Sequence, residues 1–135
     1  MRGAETNPED WFAIARRDLE RAEARLSDGD LEDCTFRRQQ AAEKAMKGAL
    51  ILRGWNLARA HMCTALIDVL AQFGMDVEWF RPATETLQPE YFATRYPGDW
   101  DAPPDASEVQ RLVLETRKLF DQWVSPAAPA APPGP

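Results

Sequence analysis

The sequence predicts an all-α protein, an up-and-down helical bundle of four long helices plus one short helix and an ordered aromatic loop. Three observations predict it. Apolar residues recur at alternating steps of three and four through most of the chain, which is the period of an amphipathic helix. Glycine and aspartate punctuate these stretches where helices stop and start. Neither strand-type alternation nor an internal repeat appears. With 135 residues the chain is sized for one domain, able to bury about two thirds of its unfolded surface without disulfides. The expected organisation is an N-terminal arm over 1–8, the bundle over 9–124, and a disordered Pro/Ala tail over 125–135.

The first helix follows Pro8 and Glu9. Phe12, Ala15, Leu19, Ala22 and Leu26 form its apolar stripe, while Arg17, Asp18, Glu20 and Arg21 fall elsewhere on the wheel and are expected to be wet. Gly29 stops this helix, and Asp30 is placed to cap the next by accepting from the Asp33 N–H. The second helix runs from about Leu31 to Arg53. Ala42, Ala45, Met46 and Ala49 make a wide apolar face flanked by Leu50 and Leu52; the alanines let a neighbouring helix approach closely, and Gly54 ends the helix. The same helix carries Gln40, Glu43, Lys44 and Lys47. Glu43 and Lys47 are in the favourable order for an i,i+4 pair, worth a few tenths of a kcal/mol when exposed. Both lie near Phe36 on the wheel, so part of this strip is expected to meet another surface.

After the loop GWNLARA comes a third helix with Met62, Ala65, Leu66, Val69, Leu70 and Phe73 at helical spacing; His61 stands at its start and Gly74 ends it. A weaker fourth helix spans about Val77 to Gln88, with Pro82 in its first turn and Pro89 closing it. Residues 89–104, PEYFATRYPGDWDAPP, contain four prolines and a glycine and are not helical. Tyr91, Phe92, Tyr96 and Trp100 make this segment too aromatic for a loose linker, so it is expected to be pinned to the bundle. Asp105 and Glu108 give a capping-box-like start, with aspartate in place of Ser or Thr. The last helix then carries Val109, Leu112, Val113, Thr116, Leu119, Phe120 and Trp123 on one stripe.

Composition narrows the function classes. Cys34 and Cys63 are far apart and match no metal or redox spacing, and the single histidine, His61, argues against a zinc site; no cofactor is expected. No apolar run approaches the ~20 residues of a membrane span, and the opening MRGAETNPED has no signal-peptide character, so a cytoplasmic protein is expected. The net charge of −6 argues against a generally basic nucleic-acid surface. Charge is uneven, however. Residues 33–61 carry six basic groups against Asp33 and Glu43, and residues 62–108 carry nine acidic groups against Arg81 and Arg95. Such asymmetry is either ordinary helix-surface charge or a means of orienting subunits or attracting an anion.

A set of short motifs resembles one family. Ala15-x-x-Asp18-Leu19-x-x-Ala22 lies in the first helix. Phe36 is followed by Gln40-x-Ala42-Glu43-Lys44-Ala45-x-Lys47 in the second. Gly54, a loop and His61 come next, then Arg95-Tyr96-Pro97 before the last helix. In this order and at these separations the set resembles the HEPN domain family (higher eukaryotes and prokaryotes nucleotide-binding), over about residues 10–124. The resemblance implies an up-and-down helical bundle that usually dimerises. It also implies one of several roles: partner of a minimal nucleotidyltransferase in a toxin–antitoxin-type pair, metal-independent RNase, or nucleotide binder. The family's RNases use an arginine, four to six intervening residues and a histidine; here the corresponding positions 54–56 before His61 are Gly, Trp and Asn.

The candidate residues divide accordingly. Metal-independent RNA cleavage needs a base for the 2′-hydroxyl and a cation for the transition state; His61 and Arg95 are the candidates for these roles. A phosphate or nucleotide pocket would draw on Gln40, Glu43, Lys44, Lys47 and Arg95, with Tyr96 offering a stacking face. Against these stand structural readings: a locally bonded helix-start histidine, an arginine that locks the aromatic loop, and a hydrogen-bonded network between helices or subunits for the polar strip. Trp11, Trp55, Trp79 and Trp123 read most simply as core or interface residues. The expectation is a dimeric binding module whose partners are a second copy, a nucleotidyltransferase-type protein, and a nucleotide or RNA, with no membrane. The alternatives are an RNase toxin with a non-standard His/Arg arrangement and a ligand-free helical dimer.

Overall fold

A computed structural model describes residues 7–54, 63–86 and 105–124. Their regular structure is all helical, with no strand among the described residues. Helix α1 spans Pro8–Asp28, α2 Leu31–Leu52, α3 Cys63–Gln72, α4 Arg81–Thr86 and α5 Ala106–Trp123, with a single 3₁₀ turn at Glu78–Phe80 leading into α4.

Local chemistry sets the helix ends. The Asn7 side chain accepts from the Glu9 N–H at 3.0 Å, Pro8 occupies the first helical position, and Glu9 and Asp10 sit at the positive end of α1. Gly29, at φ 83°, closes α1 in the left-handed region, where the Gly29 N–H donates to the Leu26 carbonyl and the Asp30 N–H to the Arg25 carbonyl. Asp30 then caps α2, accepting from the Asp33 N–H at 3.2 Å, as expected. Gly54 and Gly74 follow α2 and α3 at φ 84°. Asp105 accepts from the Glu108 N–H at 3.2 Å, so the first half of the expected capping box forms; the Glu108 carboxylate turns to Arg111 at 3.7 Å instead of reaching back.

Two residues connect α1 to α2, so the pair forms a tight antiparallel hairpin, the most extensive contact in the fold. Helix α2 is the central element, touching α1, α3 and α5, and α1 also packs on α5. The largest apolar cluster joins Ala42, Met46, Ala49 and Leu50 of α2 to Leu66 and Leu70 of α3 and to Leu112 and Leu119 of α5. A second cluster seats Phe12, Ala15 and Leu19 of α1 on Ala41 and Ala45. Arg117 of α5 grips Glu23 of α1 with two bonds of 3.0 and 2.8 Å, while Arg16 donates to the Val124 carbonyl at the end of α5. Outside the bundle, Arg81 ties α4 to Asp68 at 2.6 Å and to Glu78 at 2.8 Å; these bonds hold its guanidinium more firmly protonated than usual and lower the Glu78 pKa.

Several expectations change. Asp18 is buried at 6 % exposure rather than wet. Phe73 is 44 % exposed, because α3 ends at Gln72 and leaves it on the closing turn. Leu52 is 58 % exposed: Phe12 packs at Gly48, so the last residue of α2 stands level with the first turn of α1, beyond the helix-on-helix contact of the described residues. The fourth segment begins with a 3₁₀ turn that leads into α4, with Pro82 in the first turn of α4 as expected; its expected end at Gln88 lies outside the described residues. Helix α3 is described over ten residues, against 21, 22 and 18 for α1, α2 and α5. The aromatic loop, the N-terminal arm and the Pro/Ala tail lie outside the described residues.

Candidate functional site

Phe36, Gln40, Glu43 and Lys47 follow one another at steps of four, three and four along α2, with Lys44 four residues after Gln40, and so share one strip of its surface, beside the α1 contact. Two ion pairs organise it. Lys44 Nζ meets Asp18 Oδ2 across the α1–α2 seam at 2.9 Å, and Lys47 Nζ meets Glu43 Oε2 one turn back at 2.7 Å. The Lys47 ammonium also lies 5.7 Å from the centroid of the Trp11 ring, near the start of α1. Asp18, Glu43, Lys44 and Lys47 therefore neutralise one another in a mostly buried row, closed at one end by an aromatic face. Gln40 is half-buried. Trp11, Trp79 and Trp123 are half-buried, as core or interface residues would be.

This geometry bears on each expectation. The i,i+4 pair forms, but in a far drier place than an exposed helix face, so its partners are strongly committed to each other. Neither lysine is a spare cation; a phosphate bound here would have to take a lysine from its carboxylate. His61, Arg95 and Tyr96 lie outside the described residues, as does Trp55. Among the described residues, no group of His, Cys, Asp or Glu is arranged to hold a metal ion. None of the described helices is long and apolar enough to cross a membrane.

The burial of two polar residues is not foreseen by the sequence. Asp18 is one. It lies three residues after Ala15 and four before Ala22, so helical spacing already set it at the margin of the apolar stripe. Arg38 is the other, at 1 % exposure. It lies four residues before Ala42, on the α5-facing side of α2, and its guanidinium donates to Thr116 Oγ1 and to the Ala83 carbonyl, both at 3.4 Å. The Thr116 hydroxyl in turn donates to the Leu112 carbonyl at 2.8 Å. Near Arg38 on α2, Thr35 Oγ1 and Gln39 Oε1 are buried without a hydrogen-bond partner among the described residues. Cys34, fully buried beside Ala22, Val109 and Val113, has its thiol pKa pushed up to about 11 by loss of solvent, partly offset by the Arg38 charge.

The described site is thus a neutralised polar seam at the crossing of α1 and α2, with a buried arginine on the opposite flank of α2. No curated protein and no solved structure matches the chain. The HEPN domain family model matches it over residues 8–125, which takes in every helix from α1 to α5 and both halves of the Asp18–Lys44 pair. A match over that much of the chain shows the family: this protein belongs to the HEPN domain family.

Proposed function

We propose that this HEPN domain is a dimeric binding and assembly module of the cytoplasm, engaging a nucleotide, a minimal nucleotidyltransferase-type protein, or both, in a toxin–antitoxin-type pair. The observation that carries this reading is the state of the α2 strip. Lys44 and Lys47 are each held by a carboxylate within 3 Å, an arrangement suited to fixing a surface for recognition rather than to releasing a reactive cation. The missing arginine at 54–56 ahead of His61 argues in the same direction. In this proposal Gln40, Glu43, Lys44 and Lys47 frame the ligand, Arg95 meets its phosphate, and Tyr96 stacks on its base. Because a phosphate must compete with Asp18 and Glu43 for the lysines, nucleotide affinity is modest and falls with salt.

Light scattering on the purified chain, calorimetry with adenine and guanine nucleotides, and co-purification with any small nucleotidyltransferase encoded beside it test the proposal. A dimer that binds either class of partner is the expected result. Binding of neither would reduce the protein to a ligand-free helical dimer. RNA cleavage without metal, lost in His61→Ala, would replace the binding reading with an RNase in which His61 is the base and Arg95 the phosphate contact.

A further inference from the structure

Three threonines are buried among the described residues, and two of them turn the hydroxyl back onto their own helix. Thr116 donates to the Leu112 carbonyl at 2.8 Å and Thr84 to the Arg81 carbonyl at 2.7 Å. Thr35 does not, although the Leu31 carbonyl lies one turn back on α2. Its Oγ1 is shut away from solvent and has no hydrogen-bond partner among the described residues. One turn further along the same helix, Gln39 Oε1 is in the same condition. A buried polar atom left without a bond costs more free energy than the bond would contribute, so two of them on one helix need a physical account.

The two atoms belong together. Thr35 and Gln39 are four residues apart, so they stand one above the other on a face of α2, with Cβ atoms about 5–6 Å apart. They do not bond each other. That separation suits one small molecule between them, with a bond of about 2.8 Å to each side. Chemistry selects the molecule. Gln39 Oε1 only accepts, so the occupant must donate to it, and the Thr35 hydroxyl can donate to a lone pair of the occupant. The carbonyl oxygen disfavours an anion. A metal ion would find two neutral oxygens and, among the described residues, no cluster of carboxylates to hold it. A neutral molecule that both donates and accepts is left, and the smallest is water.

We propose that α2 carries an internal water site between Thr35 and Gln39, in which one ordered water accepts from the Thr35 hydroxyl and donates to Gln39 Oε1. The site extends the buried polar junction that Arg38 makes with Thr116 and the Ala83 carbonyl, since Arg38 directly precedes Gln39 and follows Thr35 by three residues. A bridging water makes nearly the same bonds as a direct contact, and a buried one is costly to remove. This site is independent of the nucleotide and partner reading given above.

Nuclear magnetic resonance on the full chain tests the site directly. A cross-peak between water and the Thr35 methyl protons is expected in the wild type. It is expected to vanish in Gln39→Met, which keeps the side-chain length but removes the acceptor. No cross-peak in the wild type would overturn the proposal, and that measurement stands even where a variant fails to fold. A cross-peak retained in Gln39→Met would also overturn it, because the signal would then come from exchange of the Thr35 hydroxyl proton itself. Urea denaturation gives a second readout, with circular dichroism reporting that each variant keeps its helices. Thr35→Val and Gln39→Met are each expected to lower the folding equilibrium constant by about fivefold or more. The double variant is expected to cost little more than the worse single one, because the water leaves with its first partner. A Thr35→Val protein as stable as the wild type would show that the hydroxyl had no bond to lose. Fully independent costs in the double variant would show separate partners. Either result would overturn the shared water.

Discussion

Asp18 brings a carboxylate into the seam between α1 and α2, and its side chain keeps only 9 % of its exposure beside a Lys44 that keeps 26 %. Removing both charges from water costs more than an exposed pair would return, so the pair is tolerated because each ion is matched, not because the bridge itself is a large source of stability. Breaking one side is therefore worse than replacing both. Lys44→Met is expected to destabilise by about 2–3 kcal/mol in urea denaturation, because it strands Asp18. Asp18→Leu together with Lys44→Met is expected to recover most of that loss. A cost below about 0.5 kcal/mol for Lys44→Met would mean that Asp18 reaches water and the bridge behaves as a surface pair. Cys34 has a comparable logic with protons. Its unfolded thiol ionises near the ordinary 9.0, whereas burial keeps the folded thiol protonated to about 11. The unfolded state gains from ionisation first, so this group's contribution to stability is complete below pH 9 and is lost as the pH rises toward 11. In a Cys63→Ser background, the Cys34 thiol is expected to react with a disulfide reagent only as fast as the protein unfolds. A rapid reaction in native buffer would show that the first turns of α2 open on their own.

At the scale of elements, the α1–α2 hairpin depends on a glycine inside a helix. A Cβ on Gly48 would lie 2.6 Å from Phe12 Cε1 and 2.9 Å from Cδ1, well inside contact distance of a ring that is itself 5 % exposed. Glycine costs α2 about 1 kcal/mol of helix propensity relative to alanine, and the close seating of Phe12 offsets that. Gly48→Ala is thus expected to destabilise by about 1–3 kcal/mol despite its better propensity, measured by chemical denaturation. Pairing it with Phe12→Leu should shrink the penalty, since the clash is with the ring and not with backbone; equal costs in both backgrounds would count against this packing account. The helices themselves were legible because their signals are local. Aspartate at positions 30 and 105 caps through its own side chain, and Gly29 adopts the left-handed turn that ends α1. What periodicity could not supply is where a partner stops. Phe73 and Leu52 continue an apolar pattern beyond the point where another helix covers it. Nor does the sequence of α2 show why Gly48 must be glycine, because a close approach is a property of two elements and not of one.

For the molecule as a whole, α2 works as an axle, and the candidate site was legible on one side of it only. The strip at Gln40, Glu43, Lys44 and Lys47 could be read from spacing, but its neutralisation by Asp18 could not, since that pairing depends on how α1 docks. Arg38 was hidden for the same reason: an arginine in a basic run reads as surface until α5 and α4 close over it. Its position gives it an architectural task. The Ala83 carbonyl of α4 accepts from the Arg38 guanidinium, which brings a buried cation from α2 onto the backbone of α4. Through Thr116, the same group links α4 to α5. The segment from Glu78 to Thr86 is held by Phe80 and Ala83 in the core together with this buried hydrogen bond. Arg38→Met preserves much of the side-chain volume but removes the donors. It is expected to cost about 2–4 kcal/mol, and to do so unevenly. Hydrogen exchange should rise first over residues 78–86, while the α1–α2 hairpin keeps its protection, because the Phe12–Gly48 contact and the Asp18–Lys44 pair do not pass through Arg38. Uniform acceleration across all helices would mean instead that the bundle opens as one unit, with Arg38 contributing to global stability rather than to the docking of α4.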